Sequence, residues 1–316
     1  GQHGPDSDYR SPLQEGYGAE LYKTITKWSY RVVDWNTISH HVRRAFREAT
    51  SYPAGPVALE FPINVQNAMG PDTQIGYNSQ ENASPKIDTQ ADPAMIERTV
   101  TLLLHAERPL VIGGDGIFWN NASNELKEFV ELFQIPVQTR RMGRGAVSED
   151  HPLAFGSGSR KVLFSNADTF MIIGLRESVL EAYFEPPMWN KNAKYIQIQE
   201  SPKELSDALA TEVAMVGSPK LVLRQLIDCA RTMLKEKPDR QAWLETHHKA
   251  KEASNSKIRA RVDLVRDARP IHPDFLGQEI VNFLDPSATV IYDSFTGSAF
   301  ITDKVKAKFA GQVLDS

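Results

Sequence analysis

The sequence has little cysteine, no strong excess of charge of either sign and no long apolar run. Cys229 is the one cysteine among 316 residues, which excludes a disulfide framework and a cysteine-rich metal site. A formal net charge of −4 gives no basic footprint of the kind that binds nucleic acid. With no membrane-spanning run and no signal peptide at its start, the sequence predicts a cytoplasmic protein without a membrane or nucleic-acid partner.

Several catalytic motifs are also missing. There is no GxSxG, no HExxH, no Walker loop and no GxGxxG dinucleotide fingerprint. The pairs His40-His41 and His247-His248 are adjacent, so on a helix their members point in different directions. We interpret these histidines as solvent-exposed. No metal site is predicted within this sequence.

What the sequence does contain is an alternation of strands and helices after residue 92. Asp92 is expected to cap a helix that has Pro93 in its first turn. The predicted strands cover 109–113, 135–139, 168–174 and 194–199. The predicted helices cover about 93–105, 122–133, 177–183 and 218–234. This order predicts an α/β fold with a doubly wound parallel sheet covered on both faces.

Composition divides the chain into five parts. Residues 1–66 contain a predicted helix at 35–50 and a buried strand within 55–65. Residues 67–92 are polar and predict an interdomain linker. The central α/β domain covers 93–234, the charged segment 235–270 predicts a solvated helical linker, and 271–316 begin a last unit. We expect that both ends of the sequence belong to larger α/β domains.

Glycine, arginine and acidic residues follow four of the predicted strands. The turn GGDG lies at 113–116, TRRMGRG begins at Thr139, MIIGLRE supplies Gly174 and Arg176, and YIQIQES supplies Glu200. Carboxyl ends of parallel strands share one edge, where arginine suits phosphate and an acidic residue accepts from ribose hydroxyls. The candidate adenine-nucleotide residues are Gly113, Gly114, Asp115, Gly116, Arg141, Met142, Gly143, Arg176 and Glu200.

Structural alternatives remain open for these residues. Glycines after a strand often serve tight packing rather than a ligand. Arg140, Arg141 and Arg144 suit phosphate recognition, and the alternative for them is a solvated loop with ordinary charges.

The order of motifs resembles the thiamine-diphosphate enzymes of the acetolactate synthase and 2-hydroxyacyl-CoA lyase superfamily, across nearly the whole chain. The segments that carry the resemblance are SPLQEGYGAELYKTITKWSYRV, PAGPVALEFPINVQ, RPLVIGGDG, IPVQTRRMGRGAVSEDHPLAFG and NADTFMIIGLR. The 2-hydroxyacyl-CoA lyases and oxalyl-CoA decarboxylases are most similar, because the chain has a Pro-Pro pair in RESVLEAYFEPPMWNKNAKYIQI. It lacks the Arg-Phe-Asp-Asp-Arg run that acetolactate synthases use against FAD.

The resemblance implies a pyrimidine-binding domain ending near residue 66, a central nucleotide-binding domain, and the start of a diphosphate-binding domain. It implies thiamine diphosphate and Mg²⁺, with their main ligands outside this sequence, and ADP or the coenzyme A nucleotide in the central domain. If the chain is acetolactate-synthase-like, FAD takes the place of ADP or the coenzyme A nucleotide in the central domain. Gln14 matches a position beside the active site, and Lys27 matches a structural or substrate-side cation.

The implied chemistry is formation or cleavage of a carbon–carbon bond next to a carbonyl, on a 2-hydroxyacyl-CoA or 2-oxoacyl-CoA. The implied assembly is a homodimer or homotetramer. Two alternatives stay open: an acetolactate-synthase-like transferase or 2-oxoacid decarboxylase, and a non-catalytic nucleotide-binding remnant.

Overall fold

The computed structural model describes Arg10 and residues 16–71, 88–293 and 296–315. The chain divides into two compact units, residues 1–87 and 88–316. The first unit contains helices α1 (Gly18–Tyr22), α2 (Ile38–Thr50) and α3 (Ile63–Gln66) and strands β1 (Trp28–Arg31) and β2 (Val57–Glu60). The two strands pair in parallel, so their connection through α2 is a βαβ crossover. This agrees with the predicted helix at 35–50 and the strand within 55–65.

The second unit is larger. Its helices are α4 (Pro93–His105), α5 (Asp115–Trp119), α6 (Ser123–Phe133), α7 (Arg160–Asn166), α8 (Pro219–Met233), α9 (Gln241–Leu264), α10 (Pro273–Phe283) and α11 (Ala299–Thr302). Its strands are β3 (Pro109–Gly113), β4 (Val137–Thr139), β5 (Thr169–Ile173), β6 (Lys194–Gln199), β7 (Thr211–Val216), β8 (Val290–Tyr292) and β9 (Val313–Asp315). Short 3-10 helices lie at Arg141–Gly143, Ser157–Ser159, Val179–Phe184, Pro202–Glu204 and 296–298, and the first unit has one at Trp35–Thr37.

Five of these strands form the central sheet, all parallel, in the order β4-β3-β5-β6-β7. Successive residues of β3 face opposite sides, as the pleat requires. Val111 packs with α4, α6 and α8 in one core, whereas Leu110 and Ile112 pack with α7 and α9 in the other. The predicted doubly wound α/β sheet with both faces covered is therefore confirmed.

Three parts of this unit differ from the sequence-based expectations. Strand β7 was not predicted, although Val213 and Met215 alternate with exposed neighbours in the manner of an edge strand. Helix α7 was not predicted either. The helix predicted at 177–183 is a 3-10 segment, Val179–Phe184, in which Ala182 and Tyr183 have left-handed backbone angles near φ +50°.

The expectation of a solvated linker at 235–270 is wrong for one face of α9. Trp243 and His247 are buried, the second completely, and the Trp243 indole donates a 2.9 Å hydrogen bond to the Pro109 carbonyl. Just before α9, buried Arg240 donates to the Leu103 carbonyl in the last turn of α4 and to the Ala106 carbonyl just after it. Arg240 also donates to the Phe133 carbonyl at the end of α6. Helix α9 therefore packs against the sheet, although its sequence is rich in charged residues.

Among the described residues, no helix combines the length and apolar character that a membrane span requires.

Candidate functional site

The carboxyl ends of four strands lie level at one edge of the central sheet. Gly113 pairs with Thr139 of β4 and with Ile173 of β5, and Ile173 pairs with Ile198 of β6. The residues that follow these strands form the edge that we call the rim: 113–116, 140–143, 174–177 and 200–204. Because β4 and β5 flank β3 on opposite sides, the strand order reverses at β3, which is where α/β sheets bind ligands. The structure therefore brings the candidate nucleotide residues to one edge.

The glycines of the rim pack against neighbouring backbone. A Cβ atom on Gly114 would lie 2.5 Å from the Gly174 carbonyl oxygen, and one on Gly116 would lie 2.7 Å from the Gly174 Cα. A Cβ on Gly143 would lie 2.5 Å from the Gly114 carbonyl oxygen. Each distance is too short for any side chain, so these positions require glycine for the contact between loops.

The amide groups of the same glycines are also engaged within the protein. Gly114 donates to the Ile173 carbonyl at 2.9 Å, Gly116 donates to the Gly174 carbonyl at 3.0 Å, and Gly143 donates to the Arg140 carbonyl at 2.9 Å. A cradle of glycine amides around a phosphate would need these N–H groups. The contacts thus support the packing alternative for GGDG, and a role for Gly113, Gly114, Gly116 and Gly143 in nucleotide binding stays a prediction.

Asp115 joins two loops of the rim. Its Oδ1 accepts a 3.0 Å hydrogen bond from the Met142 amide, which fixes the 3-10 turn after β4 against the turn after β3. Arg141 begins that turn with a left-handed backbone, φ +54°. Helix α5, which starts at Asp115, has five residues, and so offers little helix dipole to an anion.

Glu200 follows β6 and is held by a buried amide. Its Oε1 accepts a 2.6 Å hydrogen bond from the Asn120 Nδ2, and Asn120 is 1% exposed. The same Nδ2 donates to the Gly116 carbonyl at 2.9 Å, while the Asn120 Oδ1 accepts from the Ser218 hydroxyl at 2.9 Å. Glu200 is predictable from the sequence, whereas Asn120 and Ser218 are not, because a single Asn or Ser carries no motif.

Arg176 is an exposed cation of the rim, with a side chain 62% exposed. Its Nε lies 3.9 Å from the Glu204 Oε1, a distance too long for a hydrogen bond. Desolvation raises the pKa of the Glu204 carboxyl; the Arg176 charge opposes this shift, and the Asp115 charge adds to it. The charges of Arg176 and Asp115 therefore both act on the Glu204 carboxyl across the rim.

A buried carboxylate holds the loop beyond Arg176. Glu181 is 1% exposed and its Oε1 accepts from the Arg140 Nε at 2.8 Å, while its Oε2 accepts from the Arg160 guanidinium. The Trp189 indole donates to the Glu181 carbonyl at 2.7 Å. Burial lowers the pKa of Arg160, and the Arg140 charge lowers it further, against the opposing effect of Glu181. Arg140, expected to suit phosphate, is instead an ion-pair partner.

Arg144 likewise makes structural contacts within the protein. It forms a two-pronged ion pair with Glu149, Nε to Oε1 at 2.8 Å and Nη2 to Oε2 at 2.9 Å, and donates to the Val305 carbonyl at 2.8 Å. The Ala307 amide donates to the Glu149 Oε2 at 3.0 Å. The segment MGRGAVSED therefore fastens residues 305–307 to the central sheet, and the phosphate interpretation of Arg144 is not supported.

The remaining candidates lie elsewhere. Lys27 donates to the Glu48 and Ser51 carbonyls at the end of α2, which is a structural contact. His247 is fully buried against Phe155, their ring centroids 5.9 Å apart, so its predicted exposure is wrong. Gln14 lies outside the described residues. Within residues 16–71, 88–293 and 296–315, no three His, Cys, Asp or Glu side chains are grouped to hold a metal ion.

A cleft of about 820 Å³ lies near the amino ends of the strands, at the opposite edge from the rim. Residues 104–108, 238–243, 245 and 246 line it. Its charges are mixed, since Glu107, Arg108 and Asp239 all line it, and none of the candidate nucleotide residues belongs to it.

Comparison with known protein families and sequences relates this chain to a group of cofactor-dependent enzymes. The family model described as "Thiamine pyrophosphate enzyme, central domain" matches residues 96–226. A probable acetolactate synthase large subunit of Methanocaldococcus jannaschii is 30% identical over 290 residues, which cover 86% of this chain and 46% of the relative. The oxalyl-CoA decarboxylase of Escherichia coli is 32% identical over 212 residues, covering 65% of this chain and 37% of the relative.

Two further similarities agree. The 2-hydroxyacyl-CoA lyase of Arabidopsis thaliana is 26% identical over 270 residues, covering 83% of this chain and 46% of the relative. Among solved structures, benzoylformate decarboxylase from Polynucleobacter necessarius superposes with a TM-score of 0.74 at 18% identity, over the whole of this chain and 56% of that one. This structural similarity shows a shared fold. The chain spans about half the length of the relatives that it matches.

Proposed function

We propose that this chain is part of a thiamine-diphosphate-dependent carbon–carbon lyase or decarboxylase, because its residues 96–226 match the central domain of thiamine pyrophosphate enzymes. The substrate that we propose is a 2-hydroxyacyl-CoA or a 2-oxoacyl-CoA. The observation that carries this proposal is the similarity to relatives named oxalyl-CoA decarboxylase and 2-hydroxyacyl-CoA lyase. When bound, thiamine diphosphate supplies the electron sink for such chemistry.

The contribution of the described residues is to bind a nucleotide at the rim, either ADP or the nucleotide of coenzyme A. Arg176 offers an exposed guanidinium to phosphate, and Glu200 offers a fixed carboxylate to ribose hydroxyls. Since the amides of Gly114, Gly116 and Gly143 are engaged within the protein, we propose that arginine side chains, and not glycine amides, recognise the phosphates. No described residue is assigned to the Mg²⁺ or to thiamine diphosphate.

The test is the variant Arg176→Ala in the complete natural protein, with ADP and coenzyme A titrated by calorimetry. Loss of a charge-assisted hydrogen bond, about 1.5–3 kcal/mol, predicts binding of the nucleotide that is weaker by about tenfold or more. Arg98→Ala is the control, because Arg98 is half-exposed and pairs with Glu212 away from the rim. Unchanged nucleotide affinity, or loss of thiamine-diphosphate binding in a folded protein, would contradict the proposal.

An acetolactate-synthase-like transferase is the second candidate. It is favoured by the 30% identity to a probable acetolactate synthase over 86% of this chain. On this alternative the rim binds FAD, and the purified complete protein is yellow and condenses 2-oxoacids. Cleavage of a 2-hydroxyacyl-CoA by a colourless protein supports the first candidate instead. For either candidate we propose a homodimer or homotetramer.

A further inference from the structure

The elements α10, β8, α11 and β9 form the last segment of the chain, and residues 303–312, which we call the strap, connect α11 to β9. The last segment has a small hydrophobic core of its own, to which the strap contributes Val305 and Ala307. This core is separate from the two cores of the central sheet, although Ala310 of the strap packs against one of them. The buried side chains of Val305 and Ala307 thus hold the strap to the last segment.

The backbone of the strap bonds to residues 144–149 of the central domain. The Arg144 Nη2 donates to the Val305 carbonyl at 2.8 Å. The Glu149 amide donates to the Ala307 carbonyl at 2.9 Å, and the Ala307 amide donates to the Glu149 Oε2 at 3.0 Å. The Arg144 and Glu149 side chains also pair with each other, and they are only 11% and 18% exposed. A largely buried ion pair and backbone hydrogen bonds therefore join the strap to this loop, and a polar contact of this kind permits relative movement more readily than a large hydrophobic interface does.

Two other charged contacts lie beside this ion pair. Lys251 of α9 donates to the Glu149 and His151 carbonyls at 3.3 and 3.0 Å, which supports the loop and not the strap. The Asp150 Oδ1 lies 3.7 Å from the Lys306 Nζ across the contact, but both side chains are about half exposed, and an exposed pair contributes little. The Arg144–Glu149 pair is thus the stronger ionic link between the loop and the strap.

A second ionic cluster holds the other side of the strap. Lys304 is buried, and its Nζ lies 2.7 Å from the Asp274 Oδ1 and 3.0 Å from the Asp303 Oδ1. Arg261, in the last turn of α9, pairs with both carboxylates. This cluster joins the strap to α9 and α10 and contains no residue of the loop 144–149. It can therefore stay intact, as a pivot, when the strap leaves that loop.

The strap also touches two turns of the rim or their continuation. Gly145 has a left-handed backbone, φ +83°, and a Cβ there would lie 2.6 Å from the Phe309 carbonyl carbon. Gly311 is left-handed as well, φ +82°, and a Cβ there would lie 2.9 Å from the Phe118 Cε2 of α5. Both positions require glycine for this close approach. The strap therefore packs against α5, which follows β3, and against the loop that follows β4.

We propose that the Arg144–Glu149 pair is a latch that opens and closes, and that its opening frees the strap and loosens the two rim turns together. The turns are joined to each other by the 3.0 Å bond from the Met142 amide to the Asp115 Oδ1. Gly143 alone separates Met142 from Arg144 in the sequence, so a displacement of Arg144 is transmitted to Met142. A ligand or partner that prefers one position of the last segment then also changes the order of the rim turns, as thermodynamic linkage requires.

The experiment is amide hydrogen exchange in the complete natural protein, followed by mass spectrometry on peptides that contain the strap, the Met142 amide, or strands β5 and β6. Glu149→Gln keeps the size of the side chain and removes the charge of the latch. Arg144→Lys is a milder second variant, which keeps the charge and loses the two-pronged geometry. Asp150→Asn is the matched control, because Asp150 is next to Glu149 and faces the strap, but is exposed.

We expect Glu149→Gln to speed exchange about tenfold or more in the strap and in the Met142 peptide, because loss of charge-assisted hydrogen bonds makes local opening more frequent. Strands β5 and β6 should keep their natural rates. Arg144→Lys should give the same pattern with a smaller increase, and it decides the matter if Glu149→Gln does not fold. Asp150→Asn should leave all rates unchanged.

Three results would overturn the proposal. Faster exchange in the strap without a change at Met142 would refute the transmission to the rim. An equal increase in β5 and β6 would show a general loss of stability instead of a latch. Natural rates in both Glu149→Gln and Arg144→Lys would show that the ion pair does not control the strap.

Discussion

The glycines of the rim give a direct test of whether GGDG serves packing or a ligand. The perturbation is Gly114→Ala. Its Cβ would lie 2.5 Å from the Gly174 carbonyl oxygen and 2.7 Å from the Leu175 Cα, both of which are backbone atoms. The loops after β3 and β5 must separate to admit it. That movement would stretch the 2.9 Å bond from the Gly114 amide to Ile173 and the 3.0 Å bond from the Gly116 amide to Gly174.

The magnitude follows from two contributions. Overpacking against a rigid neighbour costs about 1–3 kcal/mol, and weakening a backbone hydrogen bond adds about 1 kcal/mol. A total of about 2–4 kcal/mol lowers the midpoint of urea unfolding by about 1–2 M, since the slope is about 2 kcal/mol per M for a protein of moderate size. Fluorescence of buried Trp189 and Trp243 follows the unfolding of this unit without any ligand present.

The control is Gly156→Ala. Gly156 has φ −93°, which alanine adopts readily, and a Cβ there would meet nothing within 4 Å. Alanine restricts the unfolded chain, so this variant should be unchanged or more stable by about 0.4–1 kcal/mol. If Gly114→Ala kept the natural stability and lost nucleotide affinity, the glycine would be serving the ligand, and the packing explanation would be refuted.

Two further predictions concern buried charge. Glu181→Gln leaves Arg140 and Arg160 without their carboxylate, and it should lower the free energy of unfolding by about 3–5 kcal/mol. The control is the exposed Glu107→Gln, which should change the free energy of unfolding by less than about 0.5 kcal/mol. Equal effects of the two variants in urea unfolding would contradict this prediction. Burial, with the charges of His248 and Lys251, lowers the pKa of His247 to about 4, so the folded state binds fewer protons than the unfolded state below pH 6.5. Stability is then full above pH 6.5 and falls by up to about 3 kcal/mol toward pH 4. His247→Gln should flatten this slope, whereas His248→Gln, which removes a smaller contribution than burial, should flatten it less.

The sequence was sufficient for four of the five strands of the central sheet, because these strands are short, apolar and separated by clear helical patterns. Strand β3 was predicted over 109–113 and found as Pro109–Gly113. The helix predicted over 218–234 was found as Pro219–Met233. The rim was predicted correctly as a set of neighbouring strand ends, because parallel strands place their carboxyl ends at one edge.

Other features depend on contacts that no local pattern encodes. Glu181 and its arginine partners are 41 and 21 residues apart, so their pairing follows from the fold alone. The left-handed turn at Ala182 and Tyr183 contains no glycine to indicate it. In α9, Trp243, His247, Ala250 and Val262 are the buried positions of a helix of 24 residues, too few for an apolar stripe to stand out among its charges.

Arg240 bears on where this protein can be cut for biochemical work. Its guanidinium reaches carbonyls at the carboxyl ends of α4 and α6, groups that helices cannot satisfy internally. The charge also suits both helix dipoles, and with a pKa lowered by desolvation to about 10 the group stays cationic at neutral pH. A recombinant fragment ending at 234 would leave the carboxyl ends of α4 and α6 without this hydrogen-bond donor. It would also expose to water the hydrophobic surface that α9 covers. The smallest fragment worth expressing therefore extends through residue 264.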